Sequence, residues 1–143
     1  MKLSEFFTLE EMTITQVRSV GNVPNALKLE NLTRTAMKMD HIRRLLGRPI
    51  IVSSGYRSPE VNKIVGGSPT SDHMQGLAVD FICPGFGTVD EIVEKIDKSG
   101  VEFDQLFSEM GGRWAHIGFG PKMRRQVKRV LIKNGKTVYE DFQ

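Results

Sequence analysis

The chain has 143 residues, 39% hydrophobic and 26% charged, with a net charge of +3 and one cysteine, Cys83. This composition is that of a soluble globular protein, and the length suits a single domain, residues 1–143, around one buried core. It excludes an internal disulfide and a Cys-rich zinc finger, and no stretch approaches the roughly 18 apolar residues that span a bilayer.

Met1–Phe7 lacks the apolar core of a signal peptide and carries Glu5, so the expected site of synthesis is a cytoplasm, and work outside it requires another exit route. Thr8 and Glu11 fit a capping box and predict a short helix that fades before Gly21. From Leu29 to Leu46, apolar residues recur at Leu29, Leu32, Ala36, Met39, Ile42 and Leu46. That spacing of three and four is one face of an amphipathic helix, stopped by Gly47 and Pro49. Met37 and Met39 read as core filling, and His41 has no metal-type partner three or four residues away.

Residues 49–53 predict a buried strand, and Ser58-Pro59 an N-cap with proline at N1, opening a brief helix that Gly66 ends. A loop then leads into the stretch Ser71–Asp80, where His73 and Asp80 stand seven residues apart. Leu77–Ile82 predicts a strand with Ala78, Asp80 and Ile82 on one face. Asp80 then projects beside a small residue, which leaves room for an ion. Thr88 and Glu91 repeat the capping box and open a helix through Lys98.

Paired glycines at Gly111-Gly112 predict a hairpin between residues 103–109 and 113–119, and Asn134-Gly135 a second between Val127–Ile132 and Thr137–Tyr139. The last four strands read as antiparallel. The fold class is therefore α+β, with helices packed on a small, mostly antiparallel sheet. The basic run at residues 122–129 reads as a solvated face or as a surface for a polyanion such as nucleic acid or an anionic wall polymer. Without an aromatic–basic stacking motif, no nucleic-acid partner is expected, and neither is a membrane; the chain is expected to be a monomer.

His73 and Asp80 are zinc-type ligands that need a third, and the first hairpin supplies His116. A two-residue turn at Gly111-Gly112 pairs Glu109 with Trp114 and Phe107 with His116; a four-residue loop keeps the same parity and a three-residue loop breaks it. Glu109, Trp114 and His116 then share one face. Three protein ligands with an open fourth position is the arrangement of a catalytic zinc, with Glu109 as general base and then acid and Trp114 as a wall. Asp72 is a possible ligand on spacing alone, or a loop cap.

Ser71-x-His73-x-x-Gly76-x-Ala78-x-Asp80, followed by Trp114-x-His116, resembles the zinc D-Ala-D-Ala carboxypeptidases and L-alanyl-D-glutamate endopeptidases, peptidoglycan metallopeptidases that share a fold core with lysostaphin-type enzymes and Hedgehog. The ten-residue signature is the specific part. Residues 7–11, 53–58, 61–62 and 66–68 extend the resemblance over most of the chain. It implies that His73, Asp80 and His116 hold Zn2+ and that Arg57 binds substrate or steadies charge on the scissile carbonyl, with Ser71 and Gln75 hydrogen-bonding in the site. Many relatives carry the catalytic glutamate three residues before the last histidine, where this chain has Arg113. Others place it upstream in a Gln-Leu-x-x-Glu pattern, like Gln105–Glu109 here.

The expected activity is zinc-dependent cleavage of the stem peptide of peptidoglycan, in an enzyme of phage-endolysin type released through a holin-type pore, or in a prophage or bacterial counterpart. The rival is a non-catalytic zinc-containing module, for example of a virion, which the Arg113 departure keeps open.

Overall fold

The computed structural model describes residues 1–142. Six strands form one sheet: β1 (Ile51–Ser54), β2 (Ala78–Ile82), β3 (Gln105–Glu109), β4 (Trp114–Gly118), β5 (Gln126–Lys133) and β6 (Lys136–Asp141). Their order across the sheet is β1-β2-β4-β3-β5-β6. Every neighbouring pair is antiparallel except β3 and β5, which run parallel. The expectation that the last four strands are all antiparallel is corrected at that one pair.

The reason is that β4 is paired on both sides, by β2 and β3, and offers β5 no free edge. The chain instead crosses the start of β3, and buried Asp104 fixes the crossing. Its carboxylate accepts from the Arg124 backbone N–H (2.9 Å) and from two guanidinium nitrogens of Arg124 (2.8 and 2.9 Å). Its carbonyl accepts from the Gln126 N–H at 2.9 Å and starts the parallel ladder.

Both hairpins form, and the first keeps the expected register, with Glu109 opposite Trp114 and Phe107 opposite His116. The first loop has four residues, Met110–Arg113, and so preserves the facing of the flanking strands. The second is a two-residue turn in which Asn134 (φ 52°) and Gly135 (φ 74°) take the left-handed conformation that a primed turn needs.

Helices α2 (Ala26–Leu46) and α4 (Val89–Lys98) supply most of the helical core, with one-turn α1 (Leu9–Met12) and α3 (Pro59–Ile64) at the side. The α2 stripe buries Leu32, Ala36, Met39, Ile42 and Leu46 as the spacing predicts, and ends at Gly47 with φ 69°. It begins three residues earlier than Leu29, because Asn25 caps it by accepting from the Lys28 N–H. Two polar residues share this stripe because each has an obligatory partner. Asp40 accepts from the Ser4 hydroxyl and the Glu5 and Phe6 N–H groups, which ties down the N-terminal segment, and Thr35 donates to the Gly76 carbonyl.

Helix α1 ends at Met12, well before Gly21, as the β-branched Thr13, Ile14 and Thr15 are poor helix formers. Capping boxes at Thr8/Glu11 and Thr88/Glu91 and the Ser58-Pro59 start of α3 all form as predicted. On the sheet, Val79, Phe81, Leu106, Ala115 and Ile117 join the helices in the core, together with Cys83. Alternation sends Asp80, Phe107, Glu109, Trp114 and His116 to the opposite face. Among the described residues no helix is long and apolar enough to cross a membrane.

Candidate metal centre and catalytic site

His73 sits on a 3-10 turn, Asp72–Gln75, just before β2. Ser71 caps it, its hydroxyl oxygen accepting from the His73 N–H at 3.2 Å. Gly76 ends it at φ 73°, where a Cβ would come within 2.8 Å of the Lys28 carbonyl. A side chain there would push the turn off α2. The His73 ring is fixed from behind, its Nδ1–H donating to the Gly55 carbonyl at 2.7 Å. Gly55 in turn has no room for a side chain, since a Cβ would collide with the Met12 carbonyl.

Asp80 and His116 stand directly opposite each other on β2 and β4. Asp80 Oδ1 lies 2.8 Å from His116 Nδ1 and 3.2 Å from His73 Nε2. The three donor atoms of these buried residues all lie within 4.8 Å of one another. The other oxygen, Oδ2, meets Arg57 Nη2 at 3.4 Å. A bulge in β1 between Val52 and Ser54 brings Ser54 opposite Asp80, and the Ser54 hydroxyl accepts from Arg57 Nε at 3.0 Å. Asn62 Oδ1 accepts from Arg57 Nη1 at 3.3 Å. The guanidinium is thus held by three acceptors on three sides.

Burial by itself raises the Asp80 pKa, but the two histidines outweigh it through charge and hydrogen bonds and hold the carboxyl well below the usual range. For His116, burial opposes protonation, while the hydrogen bond and charge of Asp80 and the charge of Glu109 win, so its affinity for a proton rises. Glu109 moves the other way from Asp80. Burial pushes its carboxyl up, Asp80 adds to this, and the His116 charge and the Trp114 indole oppose it only in part. The Trp114 Nε1–H donates to Glu109 Oε2 at 2.6 Å. Two carboxylates on one face are therefore driven in opposite directions, Asp80 toward the ionised form and Glu109 toward the protonated one.

Of the residues singled out in the sequence, the fold brings His73, Asp80, His116 and Arg57 into contact, with Glu109 and Trp114 on the same face. Ser71 is present as the cap of the His73 turn. Gln75 is exposed and its side-chain oxygen accepts from Lys28 of α2. Asp72 is not one of the three clustered donors; burial and then the neighbouring Asp104 push its carboxyl up. Arg113 is exposed in the β3–β4 loop.

Sequence reasoning missed the Gly55 carbonyl, the Ser54 and Asn62 partners of Arg57, and Gln105. The last was within reach. In the predicted hairpin register Gln105 lies on one diagonal from His116, as Glu109 lies on the other.

Two imidazole nitrogens and one carboxylate oxygen, buried and clustered, are a donor set that zinc favours. Hydrogen bonds behind both rings complete the fit.

Comparison with known proteins agrees with this geometry. Over 63 residues the chain is 40% identical to the zinc D-Ala-D-Ala carboxypeptidase of Streptomyces albus G, a match covering 43% of this chain and 25% of that protein. The chain thus spans about a quarter of the length of that curated relative. The model of the Peptidase M15 family matches residues 5–117, a stretch that holds His73, Asp80, His116, Arg57 and Glu109. A match over that much of the chain, with a clustered donor set inside it, makes this chain a member of the Peptidase M15 family.

Proposed function

We propose that the chain is a zinc-dependent peptidase that hydrolyses peptide bonds in the stem peptide of bacterial peptidoglycan, as a cell-wall-degrading enzyme of endolysin type. The observation that carries this reading is the convergence of the His73, Asp80 and His116 donors on the face where Glu109 is held with a raised pKa. Bound there, zinc supplies Lewis acidity that polarises a carbonyl and acidifies water.

The chain's own residues do the rest. Glu109 takes a proton from the attacking water at Oε1, the oxygen not engaged by Trp114, and returns it to the leaving amide nitrogen. A carboxyl whose pKa is raised by burial suits both halves of that exchange. Trp114 holds Glu109 in its rotamer and screens it from water. Arg57, oriented by Ser54, Asn62 and Asp80, presents its remaining donor capacity to the substrate carbonyl or carboxylate.

Mass spectrometry of the products released from purified peptidoglycan tests the proposal. The expected result is new amino and carboxyl termini in the stem peptide, lost with a chelator and restored by zinc. The position of the cut separates removal of a terminal residue from internal cleavage. Stoichiometric zinc binding without any new termini would sink the peptidase reading in favour of a non-catalytic module.

A further inference from the structure

We infer that Gln105 is a positioning residue of the metal centre, whose side-chain carbonyl holds His116 in the tautomer that presents Nδ1 as a ligand. This rests on the metal-site reading above.

A neutral imidazole carries one N–H, and the nitrogen that bears it cannot bind a metal. The two histidines solve this in opposite senses. In His73, Nδ1 faces the Gly55 carbonyl at 2.7 Å. A backbone carbonyl only accepts, so the proton is kept on Nδ1 and Nε2 is left toward Asp80. The backbone itself sets that tautomer.

His116 is turned round, with Nδ1 toward Asp80 Oδ1 at 2.8 Å and Nε2 toward Gln105 Oε1 at 3.2 Å. Here an ionised carboxylate stands against the ligating nitrogen and draws the proton to the wrong one. An acceptor at Nε2 is the counterweight, and Gln105 Oε1 supplies it. The placement is built into the sheet. Gln105 is paired with Gly118, so no opposing side chain keeps it from lying toward His116. Phe107, between Gln105 and Glu109 on the same face, stacks on the His116 ring with centroids 5.4 Å apart and planes at 23°, which limits its tilt. Hydrogen-bond partners behind a ligating histidine are typically worth about 10–100-fold in metal affinity.

The test measures zinc affinity of the full chain by competition with a chromophoric chelator, and the His116 Nε2–H resonance of the zinc-loaded protein by long-range 1H–15N NMR. Wild type is expected to bind one zinc and to show a His116 Nε2–H shifted downfield by its hydrogen bond to Gln105. Gln105→Leu, which keeps the bulk and removes the acceptor, is expected to bind zinc about 10–100-fold more weakly and to move that resonance upfield. Gln105→Glu restores an acceptor and is expected to bind at least as tightly as wild type. Gln105→Met stands in if the leucine variant does not fold.

A wild-type chain that binds no zinc overturns the metal-site reading itself. A Leu or Met variant with wild-type affinity and an unmoved Nε2–H resonance overturns the role of Gln105 alone. Equal losses in Gln105→Leu and Gln105→Glu also overturn it, because shape and not the acceptor would then matter.

Discussion

The two sides of this sheet are built on different terms. In β2 and β4 almost every residue is buried, and the polar residues among them, Asp80 and His116, belong to the cluster that could hold a metal. In the hairpin of β5 and β6, residues 126–141, Val130 alone is buried. That hairpin also lies beyond residue 117, where the family match stops. Three of its four basic residues are answered by nearby carboxylates: Arg129 by Asp90 of α4, Lys128 by Asp141 and Lys133 by Glu140. Exposed pairs of this kind contribute little, whereas a buried charge without its partner costs several kcal/mol. The clustered donors are therefore dry and fully partnered, whereas the outer hairpin rests on exposed pairs.

The sharpest way to break this comparison is at the donors. His73→Ala, or chelation of the wild type, is expected to abolish release of new termini from peptidoglycan. Glu109→Gln should lower turnover by about 10²–10⁴-fold while zinc affinity stays at the wild-type level; a loss of zinc in that variant would make Glu109 a ligand and not a base.

A subtler effect is expected at Trp114. Its indole N–H favours ionised Glu109, so Trp114→Phe raises the Glu109 pKa further. A base works only when deprotonated, and the acidic limb of kcat/KM must move to higher pH. A limb that stays in place or moves down, read from initial rates across pH, would remove Trp114 from that role.

Asp104 tests the seam between the two regions. Arg124 holds its carboxyl below the ordinary value chiefly by hydrogen bonding, against the opposing effect of burial. The stability this brings is present above the unfolded pKa of about 3.9 and disappears as pH falls through the lower folded value. Urea midpoints of the wild type should fall over that acidic range, and those of Asp104→Asn should fall less.

The smallest effect is expected at the outer hairpin. Lys133→Ala removes a surface pair worth roughly 0.2–1 kcal/mol and should leave hydrolysis unchanged. A large loss of activity there would show that the two regions are not so different.

Much of this was legible in the sequence, because the strongest signals were periodic or local. The α2 stripe, the capping boxes and the Gly111-Gly112 hairpin each depend on neighbours a few residues away, and with them came the facing of Glu109, Trp114 and His116. What could not be read were contacts between elements distant in the chain. The parallel placement of β5 depends on which sheet edge remains free after β2, β3 and β4 have paired. The setting of Arg57 depends on a bulge in β1, which leaves no mark on composition. Ser71 shows the same limit in miniature: its place beside His73 follows from sequence, but its hydroxyl caps a turn whose type does not.

One hydrogen bond qualifies the view of the outer hairpin as an appendage. The Met110 N–H, one residue past Glu109, donates to the Val130 carbonyl at 2.8 Å, and Glu109 itself is in register with Val130. If the chain were cut where the family match ends, β3 would become an exposed edge. It would offer a row of open amides as a template for a second molecule, just beside the proposed general base. The practical minimum for a shortened form is therefore set by strand pairing and extends through β5, whose partner β6 then shields the new edge. In such a truncated protein, loss of solubility should precede any loss of metal.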